Sequence, residues 1–431
     1  MLSAYVQEHF ANPRNLGVLE DADAVGLAGI PGQGPFMQMF LRMEGTKIAL
    51  ARFKLESRSF NMIPSRKIWC AAQILFHFTL SVYCMFANQC YNLMCGGSCT
   101  TMGSNSAYIV VDLGDLGGGR SEASDMNQAS EVVGGSNNHS NAMFHAFYWK
   151  QGRMRQLNSG SYAYSTAMSV TEDDTIVGII ISLTDVLPVI WRGNQLHKLP
   201  LLPKCYGGTA DGVNSSGIVV GTLSRKEPLG QIACMWQAGR AINLPVPKGN
   251  LVARARRINA SGIIIGDFQV SVASGKAFQF VPRACLWKNG MFVDLMPGQR
   301  VLSQANGIND IGTIVGEIEK LPILGNHIHR AFLYKQGKIQ ILGVLPGDNY
   351  SVATAINNVG QIVGRSSNTK SESRTTRAFL WSNGRMVDLN ALIQRASGWR
   401  LNDAVAINDH GEIAGTGMLH DTLHAFLLKP R

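Results

Sequence analysis

The string Ile-Asn-Asp-Ile-Gly-Thr-Ile-Val-Gly at residues 308–316 comes back, little changed, at residues 258–266, 356–364 and 407–415. Recurrence at a fixed period constrains a fold more tightly than composition does. Each copy must build the same local structure and bury its apolar face against its neighbours. Allowing for drift, the pattern is an apolar residue, Asn, two residues, Gly, one residue, two apolar residues, Gly. It ends at Gly134, Gly178, Gly221, Gly266, Gly316, Gly364 and Gly415, a run of seven units spaced by roughly 43–51 residues. That period suits propeller blades better than the shorter coils of a solenoid.

The chemistry of one unit predicts two hairpins. An Asn at the turn entry (Asn127, Asn214, Asn259, Asn309, Asn357, Asn408) can hydrogen-bond the backbone just downstream. The Gly three residues later, as at Gly312, Gly360 and Gly411, supplies the positive φ of a tight turn. Unit two departs most, with Thr171 at the Asn position and Asp174 at the Gly position. A second signature follows in each unit, as in residues 284–295 and 378–389. There an apolar run reaches Asn289-Gly290 or Asn383-Gly384 and alternation then resumes. Asn-Gly between apolar runs is a strong hairpin signal. Two hairpins make four antiparallel strands, one blade.

Two further features predict a ring. Every unit carries alanine four residues before the turn position: Ala123, Ala167, Ala210, Ala255, Ala305, Ala353 and Ala404. A small side chain suits the innermost strand, where blades converge. Unit seven stops after its third strand, and residues 108–116 match the strand it lacks. Borrowing that strand would close the circuit and leave no open edge. The chain is therefore read as mainly β: a monomeric seven-bladed β-propeller of four-stranded antiparallel blades over residues 106–431. A small α+β fragment and an apolar helix precede it.

Composition agrees with this reading. Glycine is abundant at 46 of 431 residues, hydrophobic residues make up 45% and charged residues only 16%. The formal charge of +10 is scattered, with one local cluster at Arg254-Ala255-Arg256-Arg257. A nucleic-acid reader would gather basic and aromatic groups on one face, so nucleic acid is not expected as a partner. An anionic ligand such as a polysaccharide stays open.

Residues 55–105 differ from both neighbours. Met62, Arg66 and Lys67 precede a mostly apolar run from Ile68 to Phe86. That order is the one found in an export signal, and the run is long enough to serve as a membrane anchor. A buried core helix containing Gln73 and His77 is the competing reading. Export or anchoring would put the repeats outside the cell or in its envelope, whereas the N-terminal segment taken alone points to the cytoplasm. Cys90, Cys95 and Cys99 are spaced unlike the pairs of structural metal sites, so linker thiols or a disulfide are expected there.

Two resemblances can be stated on residues. His145-Ala146-Phe147, His424-Ala425-Phe426 and the strings at 113–118, 355–364 and 378–389 resemble the HAF-repeat proteins over residues 106–431. Membership implies an exported, non-enzymatic protein without known catalytic residues. Tyr5, His9-Phe10, Asn12-Pro13-Arg14-Asn15, Asp21-Ala22-Asp23-Ala24, Gly26 and Ala51-Arg52-Phe53-Lys54 resemble the start of NifU/IscU-type iron–sulfur cluster assembly scaffolds, over residues 1–54. That resemblance implies an iron–sulfur cluster held by three cysteine thiolates. Where the family carries the first of them this chain has Gln33, with Pro35 at the family's Asp, and Leu55-Glu56-Ser57-Arg58 stand where the next cysteine is due. An inactive fragment is expected.

No nucleophile, phosphate-loop or zinc motif appears. His420 and His424 are four apart near a strand, a spacing that does not aim two rings at one metal. Propellers bind at the axis, and the residue after each column alanine should reach it: Ser124, Met168, Asp211, Arg256, Asn306, Thr354 and Val405. Asp211, Arg256 and Asn306 are the candidate rim contacts, with no cofactor and no resident metal expected. The leading functional reading is a binding protein for an unknown protein or carbohydrate. An iron–sulfur scaffold with a propeller extension is the alternative. A propeller lyase or glycosidase is a third reading, and it requires paired carboxylates at the axis.

Overall fold

The computed structural model describes residues 24–28, 36–44, 47–56 and 106–431, except 140, 183, 275–276, 321–327 and 370–374. The chain divides into two compact units, Met1–Met102 and Gly103–Arg431. In the first, strands Ala24–Ala28, Phe36–Glu44 and Lys47–Glu56 form an antiparallel sheet in chain order. The apolar run 68–86, the cysteines at 90, 95 and 99, Gln33 and any helical part of this fragment lie outside the described residues. Among the described residues no helix is long and apolar enough to cross a membrane.

The second part is almost wholly β, and its strands follow the sequence repeat. Unit five shows the scheme, with antiparallel strands Val301–Ile308, Ile314–Lys320, Ile328–Lys335 and Lys338–Gly343. Five sheets have four strands. The sets of units five and six join into one sheet of eight through a single parallel pair, His329 with Tyr350. The first strand of each unit packs against the first strand of the next, and that of unit seven packs against that of unit one. The last sheet is completed by Tyr108–Asp112, antiparallel to Thr422–Pro430. The N–H of Arg431 donates to the carbonyl of Ala107 at 3.0 Å.

Turn chemistry sets the register. Gly312, Gly360 and Gly411 take φ of 79°, 87° and 77°, where a side chain would be strained. Ser130 and Asp174 hold the same place in units one and two at φ of 63° and 57°. The Asn309 side-chain oxygen accepts the N–H of Thr313 at 2.9 Å, and Asn127, Asn214, Asn259, Asn357 and Asn408 each accept the N–H four residues on.

The other half of that side chain does something the repeat pattern did not announce. The Asn309 amide donates to the carbonyl of Asn357 in the next unit at 3.1 Å. Asn214 donates to Asn259, Asn259 to Asn309, Asn357 to Asn408 and Asn127 to Thr171 in the same way. One buried side chain thus shapes its own turn and ties it to its neighbour.

A second tie runs through the backbone of the alanine in the His-Ala-Phe signature. The N–H groups of Ala146, Ala284, Ala331 and Ala425 donate to the hydroxyls of Ser165, Ser303, Ser351 and Ser121, each on the first strand of the following unit. The core is divided to match, with clusters between successive units. Ile265 and Ala284 of unit four meet Ala305, Ile314 and Phe332 of unit five, and Ala406 and Leu427 of unit seven meet Phe147 and Trp149 of unit one. Burying one such large apolar side chain contributes about 1.5–3 kcal/mol.

Candidate functional site

The column alanines are buried, and each faces the final glycine of its unit's turn motif across the first hairpin, as Ala305 faces Gly316 and Ala353 faces Gly364. Directly after this pair the register slips by one residue in every unit. Two residues of the first strand then oppose one of the second, which is a β-bulge. The glycine is required by the close approach this creates. A Cβ on Gly316 would sit 1.9 Å from the carbonyl oxygen of Gln304, and one on Gly266 would sit 1.8 Å from that of Arg254.

The residue skipped by the bulge is the one after the alanine: Ser124, Met168, Asp211, Arg256, Asn306, Thr354 and Val405. All seven line a single cavity of about 720 Å³. The structure therefore brings Asp211, Arg256 and Asn306 together on one wall system. Two other columns join them. The residue before the alanine supplies Thr209, Arg254, Gln304, Val352 and Asp403, and the residue after the motif glycine supplies Thr222, Glu317 and Arg365. Both columns could have been read from the same alignment of units, because strand alternation puts i−1 and i+1 on the same side of the sheet.

Charged groups are concentrated on units three to seven. The Arg256 Nε donates to Asp267 Oδ1 at 2.7 Å and its Nη2 to Gln304 Oε1 at 2.7 Å. Asp267 is buried, with its side chain 2% exposed, and its other oxygen lies 3.6 Å from Arg254 Nη1. Asp211 Oδ2 accepts the Thr209 hydroxyl at 2.7 Å. Burial pushes the Asp211 carboxyl above its usual range, against the opposing pull of that hydrogen bond and of Arg257, Arg256 and Arg254. Arg365 pairs with Asp403 at 2.8 Å, and burial also raises the Asp403 carboxyl. Glu317 pairs with His329 at 3.1 Å, whose ring stacks on Tyr350 at 4.2 Å.

Asn306 is partly committed to the scaffold, since its amide donates to the carbonyl of Ala353 in the next unit at 3.1 Å. Thr354 does likewise to Ala404 at 2.5 Å. The carboxylates that a lyase or glycosidase needs are present in the wall as Asp211, Glu317 and Asp403.

Outside the cavity several polar residues have structural roles. Asp294 and Asp388 cap the turn after the fourth strand and pair with Arg283 and Arg377 at 3.1 Å. His424 Nδ1 lies 3.0 Å from Asp112 on the closing strand, and His420 sits in a turn at φ 45°. Among the described residues no group of three His, Cys, Asp or Glu side chains is arranged to hold a metal. The described strands of the first part, residues 24–28, 36–44 and 47–56, hold no cysteine, so they offer no thiolate to an iron–sulfur cluster.

Comparison with known proteins matches two separate parts of the chain. A family described as "Protein of unknown function (DUF3466)" matches residues 251–425, and the NifU-like N terminal domain matches residues 1–63. The chain is 41% identical over 54 residues to the iron–sulfur cluster assembly scaffold protein IscU 1 of Archaeoglobus fulgidus, covering 12% of this chain and 35% of that one. It is 52% identical over 44 residues to the nitrogen fixation protein NifU of Cereibacter sphaeroides, covering 10% and 18%. The chain spans about a third or less of the length of these curated relatives. The N-terminal region is NifU/IscU-like. A solved gluconolactonase from Xanthomonas campestris is 14% identical, with 63% of this chain and 87% of that one covered at a TM-score of 0.35.

Proposed function

We propose that residues 106–431 form a seven-bladed β-propeller of the HAF-repeat kind, in an exported or membrane-anchored, non-enzymatic binding protein. The ligand, a protein segment or a carbohydrate, enters the axial cavity. The observation that carries this reading is the convergence of one bulged residue from every unit on that cavity. Arg256, Asn306 and Thr354 also tie neighbouring units together, but rigidity alone does not account for Ser124 and Asp211 at the same bulge. The borrowed strand Tyr108–Asp112 and the unbroken succession of first-strand contacts support the closed ring.

The test is a cavity-filling variant. Ser124→Trp places a large side chain in the cavity without touching the arginines. Ligands found by thermal-shift screening of oligosaccharides and peptides should stabilise the wild type and not this variant. Hits that bind both equally would move the site elsewhere. The N-terminus of the mature protein tests its extent: a start at or beyond Met62 leaves only the propeller, whereas a protein retaining Met1 keeps the fused N-terminal segment.

The match over residues 1–63 favours a second reading, an iron–sulfur cluster assembly scaffold carrying a propeller extension. It requires iron and labile sulfide in protein purified without oxygen. We read the segment as inactive because the chain has no cysteine before Cys70. The cavity carboxylates motivate a third reading, a carbohydrate-active enzyme. It predicts release of reducing ends or unsaturated products from a polysaccharide, abolished by Asp403→Asn.

A further inference from the structure

Unit four sets three guanidiniums, Arg254, Arg256 and Arg257, into the cavity wall. Strict alternation would send Arg257 to the opposite face from Arg254 and Arg256. The bulge at Arg256 breaks the alternation, and all three reach the same space. Their charge is only partly answered. Asp267 serves both Arg256 and Arg254 with one buried carboxylate. Arg257 donates through Nη1 to the main-chain carbonyls of Asp211 and Arg256, and forms no ion pair among the described residues.

The other carboxylate close by, Asp211, is held toward its neutral form by burial. Elsewhere in the wall Arg365 lies 2.8 Å from Asp403 and Glu317 lies 3.1 Å from His329. The bulged residues of units one, two and seven, Ser124, Met168 and Val405, carry no charge. Among the lining residues unit four alone sets more than one cationic side chain in the wall, in a cavity whose volume suits a small molecule.

We propose that Arg254, Arg256 and Arg257 bind the anionic group of a small organic ligand, a carboxylate, sulfate or phosphate, whose uncharged remainder lies against Met168 and Val405. The inference rests on the reading of the cavity as the binding site. Guanidinium groups suit this role because their planar donor forks match anionic oxygens and stay charged. The arginines of the sequence cluster, scattered charge by count alone, become one site through the slip in register.

Isothermal titration calorimetry with D-glucuronate, glucose 6-phosphate, inorganic sulfate and neutral glucose tests the inference. Glucuronate or glucose 6-phosphate should bind at millimolar concentration, more weakly as salt is added, and glucose should not. Arg254→Gln, which leaves the Arg256–Asp267 pair intact, should weaken binding about tenfold. Arg256→Gln leaves buried Asp267 with only the longer contact to Arg254, so Arg256→Lys, checked by thermal unfolding, is its partner variant.

Failure of every organic anion to bind overturns the inference, as does equal binding to the wild type, Arg254→Gln and Arg256→Lys. Sulfate binding as tightly as the organic anions overturns the role of Met168 and Val405. Equal binding of glucose and glucuronate, lost in Ser124→Trp, removes the anion site and leaves the cavity reading standing. Binding that survives Ser124→Trp removes both.

Discussion

Two glycines of one unit show how differently a single residue type can be constrained. Gly290 sits at φ 73° with open space where a Cβ would go, so Gly290→Ala meets only backbone strain and should cost about 1 kcal/mol. Gly266 has an ordinary φ, but a Cβ there would stand 1.8 Å from the carbonyl oxygen of Arg254. Gly266→Ala must push the two strands apart at the bulge and should cost about 2–3 kcal/mol or more. Urea unfolding of the two variants ranks them, and the reverse order would refute the packing account. Asp211 makes the second prediction at this scale. Its carboxyl is raised by burial, so the stability it contributes is complete below the ordinary carboxylate range and is lost as pH rises through the raised value. Asp211→Asn cannot lose it, so the variant should gain on the wild type between acidic and neutral pH in denaturant titrations. A constant difference across that range would contradict the assignment.

At the scale of elements, strand order and turn positions were largely legible, because Asn309 with Gly312 and Asn289 with Gly290 each specify a hairpin through local backbone chemistry. What could not be read locally was the work those residues do between units. The amide of Asn309 reaches Asn357 forty-eight positions away, and Ala284 N–H reaches Ser303, contacts that depend on how neighbouring sheets stack. The cavity was half legible. Counting from the alanine column found Asp211, Arg256 and Asn306. It missed Arg254, Glu317, Arg365 and Asp403, which ordinary alternation carries to the same side, and Arg257, which only the bulge brings there without changing the motif. The closing strand allows a direct test. Deleting residues 108–112 leaves Thr422–Pro430 with an unpaired edge and removes Tyr108 from its buried place in the core. Such a protein should elute as oligomer or aggregate and melt well below the intact chain. A monomer with unchanged melting would show that the strand is dispensable.

In the molecule as a whole, the asparagine ties between units skip two junctions. The Asn408 amide of unit seven donates to Glu412 of its own turn rather than to unit one, and Thr171 has no amide with which to reach Asn214, which leaves a thin place between units two and three. Because Arg431 bonds Ala107, a short linker can join those two residues and the chain can be reopened near Pro203 and Lys204, both exposed, at this thin place. The permuted protein should keep its circular dichroism spectrum and unfold in one transition; loss of folded structure would mean that the present order of units matters beyond their contacts. The same Arg431–Ala107 bond has a mechanical meaning. It lies at the end of two antiparallel strands whose outer ends leave side by side, so tension applied at residues 107 and 431 peels their hydrogen bonds one after another instead of shearing them together. The terminal strand pair would therefore open at low force when drawn by its ends, like a clasp.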